Sequence, residues 1–264
     1  MKPGLAGRFA GLLMVMALVA PLFLAWHLFG VSLAQLGNGF WKLGQFAVLM
    51  FPPTPGRFFW LFLQALGETL AIALLGTLGA AVVALPFSLL AAHNITPFAP
   101  LRFLVKRSFD IIRSIDTLIW ALIWIGVVGL GPFAGVLAIL TSDIGALGKL
   151  FTETFEEADQ KPVEGIRSSG GNRTAEFVFA IWPQVSPVIL GQILYFFESN
   201  TRSATIIGVV GAGGIGLHLY EEIRTLEWQM VAFIVLMILV TVAVIDFISV
   251  RICRQFTGYL KAAS

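Results

Sequence analysis

Charge is what this chain has least of. Only 12% of its 264 residues are Asp, Glu, Lys or Arg, against about 25% in soluble globular domains. Hydrophobic residues make up 58%, and the mean hydropathy is +0.89. So few charges cannot cover a water-facing surface, which excludes an ordinary soluble enzyme and a basic nucleic-acid binder. Cysteine is nearly absent as well: the single Cys253 rules out an intrachain disulfide framework and a cysteine-based metal cluster. The three histidines, His27, His93 and His218, are scattered with no helical metal spacing, so no metal site is expected. No Gly-x-x-x-x-Gly-Lys-Ser/Thr phosphate loop occurs, so this chain is not its own ATPase. No nucleophile–base constellation is visible either, so no catalytic residue is assigned.

What the chain has instead is long apolar runs. A membrane-crossing helix needs about 20 mostly apolar residues, and Phe9–Leu28, Leu66–Leu90, Val178–Phe197 and Trp228–Val250 meet that requirement. The stretch from Ser108 to Glu157 is too long for one span, and Gly129-Leu130-Gly131-Pro132 reads as a turn within it. Splitting it there gives Ser108–Val128 and Phe133–Phe155, and hence about six spans in an all-α integral membrane fold. Abundant Gly (27) and Phe (23) suit closely packed membrane helices.

Basic residues set the orientation, because cytoplasmic loops carry excess Lys and Arg. With both termini inside, all but four of the 17 basic residues fall on the cytoplasmic side; Lys42, Arg57, Arg202 and Arg224 are the exceptions. The first 63 residues read as an uncleaved anchor helix and a periplasmic loop, although Ser32-Leu33-Ala34 has the look of a signal-cleavage site. Trp41 and Phe51-Pro52-Pro53 in that loop suit the headgroup zone. Residues 64–256 form the core, and 257–264 a cytoplasmic tail.

One polar segment stands out, VEGIRSSGGNRTAEFVFAIWPQ from Val163 to Gln184. It is the largest polar insertion on the inner side, between the fourth and fifth spans. Glu164-Gly165-Ile166, Gly170 and Ala180-Ile181-Trp182-Pro183 resemble the signature of bacterial ABC importer permeases, with both internal spacings intact. Glu, Gly and Pro match; Gly165, Ile166, Ala180 and Trp182 depart from it. Two further stretches, Glu198 to Gly216 and Arg113-Ser-Ile-Asp116 leading into Gly129–Leu137, resemble the phosphonate-importer branch of that family. The likeness covers about Gln64 to Arg254.

The resemblance implies a type I importer permease that works as a dimer of identical copies in the bacterial inner membrane. It implies two cytoplasmic ABC ATPases that bind ATP and Mg, since this chain itself holds no cofactor, and a periplasmic substrate-binding protein. Residues 160–172 would be the coupling helix that docks on the ATPase, with Glu164, Gly165, Ile166, Arg167, Gly170 and Pro183 as its key positions. Ile166 would be a small apolar anchor for the ATPase, and Gly170 a sharp exit where a side chain would clash. The implied function is ATP-driven import of phosphonates by alternating access. Phosphite, phosphate esters and methionine are alternatives for the same machinery. An ion-coupled secondary transporter would show inverted repeats, and none is evident; it would also leave the docking signature unexplained.

Several residues remain to be placed. Gly211-x-Gly213-x-x-Gly216 satisfies a dinucleotide fingerprint, yet it follows a membrane span, and Leu236 stands where an acidic residue should lie about 20 positions on. Gly211, Gly213, Gly214 and Gly216 are therefore expected to serve close packing or a re-entrant turn near the outer face. Ionisable residues inside spans are functional candidates by default. Arg113 and Asp116, three apart, read as an ion pair, and Glu198 and Arg202, four apart at the outer end of the fifth span, as another. Asp143 is expected to face the bundle interior, and Asp246 to reach water or Arg251. Arg113, Ser114, Thr117, Ser142, Asp143, Asn200 and Ser203 are the candidate lining of the substrate pathway.

Overall fold

The computed structural model describes residues 14–21, 24, 30 and 33–262, the side chains of 33–36 and 253–262 excepted, and every element among them is a helix. The chain divides into two compact units, Met1–Phe51 and Pro52–Ser264. In the first, residues 14–21 are helical and α1 runs from Leu33 to Leu49, within the expected periplasmic loop. Phe40, Trp41 and Val48 of α1 are exposed. The expected span Phe9–Leu28 lies largely outside the described residues.

The second unit is built on two long helices, α2 (Phe59–Ala91) and α5 (Pro132–Glu156). Their contacts rise in step: Ile72 meets Gly135, Gly76 meets Ile139, Thr152 reaches the Ser88 carbonyl, and Glu156 reaches His93. The helices are therefore parallel, and the chain between them must recross the bundle. It does so through α3 (Ala99–Arg113) and α4 (Thr117–Val128), which meet at 87°. The expected straight span Ser108–Val128 is thus corrected to a bent pair from Ala99 to Val128. At about 1.5 Å per residue the 12 residues of α4 reach only about 18 Å, too short to cross alone. The bend has local causes. The Ser114 hydroxyl donates to the Ile111 carbonyl as α3 ends, and the Asp116 carboxylate caps α4 by accepting from the Leu118 N–H at 2.8 Å.

α6 (Gln160–Ser168) follows, and then a single turn, Arg173–Ala175, and a π-helical stretch, Glu176–Ile181, lead into α7 (Trp182–Val209). α7 runs antiparallel to α2. α8 (Ile215–Thr225) stays at the outer end beside Phe62, and α9 (Trp228–Ala262) recrosses the bundle. Among the described residues four single helical segments are long and apolar enough to span a membrane, or five if the bent pair counts as one span. Three apolar clusters hold the bundle: Phe151, Phe155, Val163, Ile181 and Val185 at the inner end; Ile72, Ile139 and Ile207 midway; Phe62, Leu66, Ile215 and Ile234 at the outer end.

α3 packs on α5 with almost no space between backbones. A Cβ at Gly145 would fall 2.7 Å from the Arg113 nitrogen and 2.9 Å from the Phe109 carbonyl oxygen, neither of which can rotate away. Gly145→Val should therefore cost about 1–3 kcal/mol through overpacking and lower the thermal midpoint of the purified protein in detergent. An unchanged midpoint would contradict this contact.

Candidate functional site

The polar segment after α5 is an ordered hairpin. Asp159 caps α6 by accepting from the Lys161 N–H at 3.0 Å. Along α6, Val163 is 4% exposed and packs with Phe155 and Ile181, and Ile166 lies half-buried against the same cluster. Glu164, Gly165 and Arg167 face outward. Apolar residues three apart on one side and charges on the other give this short helix an inner and an outer face. Ile166 therefore helps anchor α6 to its own bundle.

The end of α6 explains its glycines. The Gly171 N–H donates to the Ile166 carbonyl at 3.0 Å and the Gly170 N–H to the Arg167 carbonyl at 3.1 Å, the paired bonds of a Schellman motif. Gly170 has φ +83°, left-handed backbone that side chains disfavour, yet open space surrounds its Cα. The expected clash at Gly170 is thus replaced by a backbone requirement. The crowded position is Gly171, where a Cβ would lie 2.9 Å from the Ile166 carbonyl oxygen.

Two ties fix the hairpin to the spans. Arg167 donates to both carboxylate oxygens of Glu176, at 2.8 and 3.1 Å, and closes the loop between α6 and the next helix. This pair holds the Arg167 guanidinium above its ordinary pKa, with Glu164 adding a smaller contribution. The Gln184 side chain accepts from the Asp159 N–H at 3.0 Å and donates to the Ala180 carbonyl at 2.7 Å. Pro183 lacks the N–H that an α-helix would offer Phe179. The chain widens just before it, and the Trp182 N–H reaches five residues back to Phe177. A cleft of about 230 Å³ lies beside the hairpin, lined by His93, Asn94, Arg167, Arg173, Glu176 and Phe177 among others.

The other candidate residues divide into three groups. At mid-depth, the Asn200 amide donates to Thr77 at 2.8 Å and to the Asp143 carboxylate, joining α2, α5 and α7; Asp143 is 4% exposed. Thr117 donates to Ser142, the residue before Asp143, at 3.0 Å. Arg113 and Ser114 lie exposed at the α3–α4 bend, while Ser203 is half-buried and bonds the Ser199 carbonyl. Arg113 does not pair with Asp116. It pairs with Asp110 at 3.1 Å, which also holds Lys149 at 3.3 Å. Asp246 is exposed.

At the outer end, Gly211, Gly213 and Gly214 all have positive φ and form the turn between α7 and α8. The Glu68 carboxylate accepts from the Gly214 N–H at 3.0 Å, the Thr69 hydroxyl from the Ile215 N–H at 2.8 Å, and the Gly211 carbonyl from the Gly131 N–H at 3.0 Å. Gly216, on the first turn of α8, lets α8 approach the Thr205 carbonyl of α7. Sequence reasoning missed Glu68, Thr77 and Asp110. Asp110 alone had a local signal, with Arg107 and Arg113 three residues to either side.

Gly170→Asn, tolerated in left-handed backbone, should leave the hairpin folded, whereas Gly170→Val should open it. Limited proteolysis between Ser168 and Ala175 reads the difference; equal cleavage rates for the two variants would contradict the backbone argument.

Comparison with known proteins agrees with this geometry. A family described as "Binding-protein-dependent transport system inner membrane component" matches residues 84–257. The putative phosphite transport system permease HtxC of Stutzerimonas stutzeri is 36% identical over 245 residues, which is 93% of this chain and 86% of the relative. The phosphate-import permease PhnE of Mycolicibacterium smegmatis is 37% identical over 70% of this chain and 35% of its own length. The putative cryptic phosphonate permease PhnE2 of Escherichia coli is 44% identical over 46% of this chain and 99% of its own length. Among solved structures, the MetNI methionine ABC transporter matches with a TM-score of 0.67 at 20% identity, over 77% of this chain and 99% of that one. The fold is that of the type I ABC importer permeases, and the chain belongs to the binding-protein-dependent transport system inner membrane components, which are transport permeases and not enzymes.

Proposed function

We propose that this chain forms the pathway of an ATP-driven importer for small phosphorus oxyanions, phosphonates above all, working as a pair of identical copies. The substrate class rests on the relatives, which are named for phosphite, phosphate and phosphonate transport. Phosphite is the second reading, favoured by relatives that match along 93% and 89% of this chain. The likeness to a methionine transporter, at 20% identity, supports the fold and not that substrate.

The observation that carries the mechanism is the hairpin of α6. Its outer face presents Glu164 with no ion pair of its own among the described residues, while Val163 and Ile166 bind it to the bundle. A cytoplasmic ATPase that binds ATP and Mg would dock on this outer face. Because α6 is tied both to Phe155 at the end of α5 and to Gln184 at the start of α7, movement of the ATPase would reach two spans at once. That coupling fits alternating access, with substrate delivered at the outer mouth by a periplasmic binding protein. In this reading Gly171 and the C-terminus lie in the cytoplasm, and Phe51 and Glu221 in the periplasm.

Reporter fusions after Gly171 and after Glu221 should give cytoplasmic and periplasmic signals respectively; the reverse pattern would sink the docking assignment. Glu164→Arg should leave the permease in the membrane yet release the ATPase in a pull-down or uncouple its hydrolysis from uptake. Breaking a desolvated charge pair costs about 2–5 kcal/mol. Full association together with full uptake of phosphonate would show that α6 is only a solvated helix.

A further inference from the structure

Arg202 is out of place for a residue facing lipid. Its neighbour Asn200 bonds Thr77, and Thr77 stands near the middle of the 33-residue α2. Arg202 lies two residues further along α7, or about 3 Å, and α7 continues past it to Val209. Arg202 therefore stands near mid-height of the helix bundle, close to the level of Thr77. Its side chain is 50% exposed on the surface of the protomer. A charged side chain at that depth costs about 2.5–3.5 kcal/mol or more if it faces lipid, so this surface must meet water or protein.

The way Arg202 is held is informative. One nitrogen, Nη1, donates to Oε1 of Glu198, which is itself only 15% exposed. The remaining N–H groups have no partner among the described residues. A guanidinium presents five donors in a planar fork that matches phosphorus oxyanions with two parallel bonds. Glu198 occupies one edge and leaves the other open. The Glu198 charge also lowers the net attraction, so an anion can bind here and still leave, as passage requires. Other cations near the spans also hold acidic partners: Lys149 and Arg113 both hold Asp110, and Lys106 holds Glu156.

We propose that Arg202 faces the translocation pathway and reads the negative charge of the passing phosphorus oxyanion, with Glu198 holding the guanidinium in position. This rests on the importer reading above and adds the residue that recognises the substrate.

The test uses the whole complex, permease with its ATPases and binding protein, in liposomes supplied with methylphosphonate or phosphite. Arg202→Gln should cut uptake about tenfold or more, the worth of one charged hydrogen bond, while ATPase association stays intact. The exchange Glu198→Arg with Arg202→Glu keeps an ion pair but moves the cation, and uptake should stay low. Recovery in that exchange would reduce the pair to a structural brace and overturn the proposal, as would full uptake by Arg202→Gln. Arg202→Cys in a Cys253→Ser background should react with a charged, water-soluble thiol reagent and be protected by the transported anion; no reaction would place the residue in lipid and overturn the proposal whatever the substrate. Should the unaltered complex take up neither anion, the substrate reading falls and this assignment with it, an outcome distinct from failure of the variants alone.

Discussion

Three membrane helices meet at one side-chain amide. Inside a bilayer no water is available to satisfy polar groups, so each must find a partner within the protein. Asn200 supplies that partner for Asp143 of α5 and Thr77 of α2 together. Individual bonds of this kind average roughly 0.6 kcal/mol in membranes, a modest amount. Their larger effect is directional: the register of α7 against α2 and α5 is set at mid-depth, and everything at either end inherits it. Toward the outside, that register brings Gly214 to Glu68 and Ile215 to Thr69. Toward the inside, it brings Gln192 to Thr154 and Gln184 to Asp159.

The inner end converts this register into a rigid platform. Glu156 collects the His93 N–H and the Lys106 ammonium, so the turn after α2, the middle of α3 and the end of α5 form one polar knot. α6 is attached directly to that knot through Val163 and Phe155. The π-helical stretch and Pro183 lie on the other side of α6, where helical hydrogen bonding is already irregular.

Much of this was readable from the sequence, and the failures have physical causes. Leu66–Leu90, Val178–Phe197 and Trp228–Val250 were visible because length and apolarity suffice to detect them, and the Gly129–Pro132 turn signature marked off Phe133–Phe155. The bend in α3–α4 was blurred because hydropathy averages over the Ser114–Asp116 break, although Asp116 is a helix-capping residue type. The Arg113–Asp116 pairing assumed a continuous helix; α3 ends at Arg113, so the partner three residues back, Asp110, takes the charge. The fifth span was ended at Phe197 because the Glu198–Arg202 run lowers local hydropathy. In the structure Asn200, Thr201 and Thr205 turn inward and α7 continues. Glu68 lies 146 residues from Gly214, and no local pattern foretells such a contact. The α6 segment was found by its spacing, but the inward face of Ile166 depended on packing that spacing does not encode.

The Asn200 junction also bears on biogenesis. Asp143 precedes Asn200 by 57 residues, so α5 is synthesised and enters the membrane before its partner exists. At about 5–20 residues per second, that interval lasts roughly three to eleven seconds. During it α5 carries an unsatisfied carboxyl group at mid-bilayer, and its parallel neighbour α2 has only the Thr77 hydroxyl to offer. The nascent permease therefore passes through a stage in which Asp143 is present and its Asn200 partner is not.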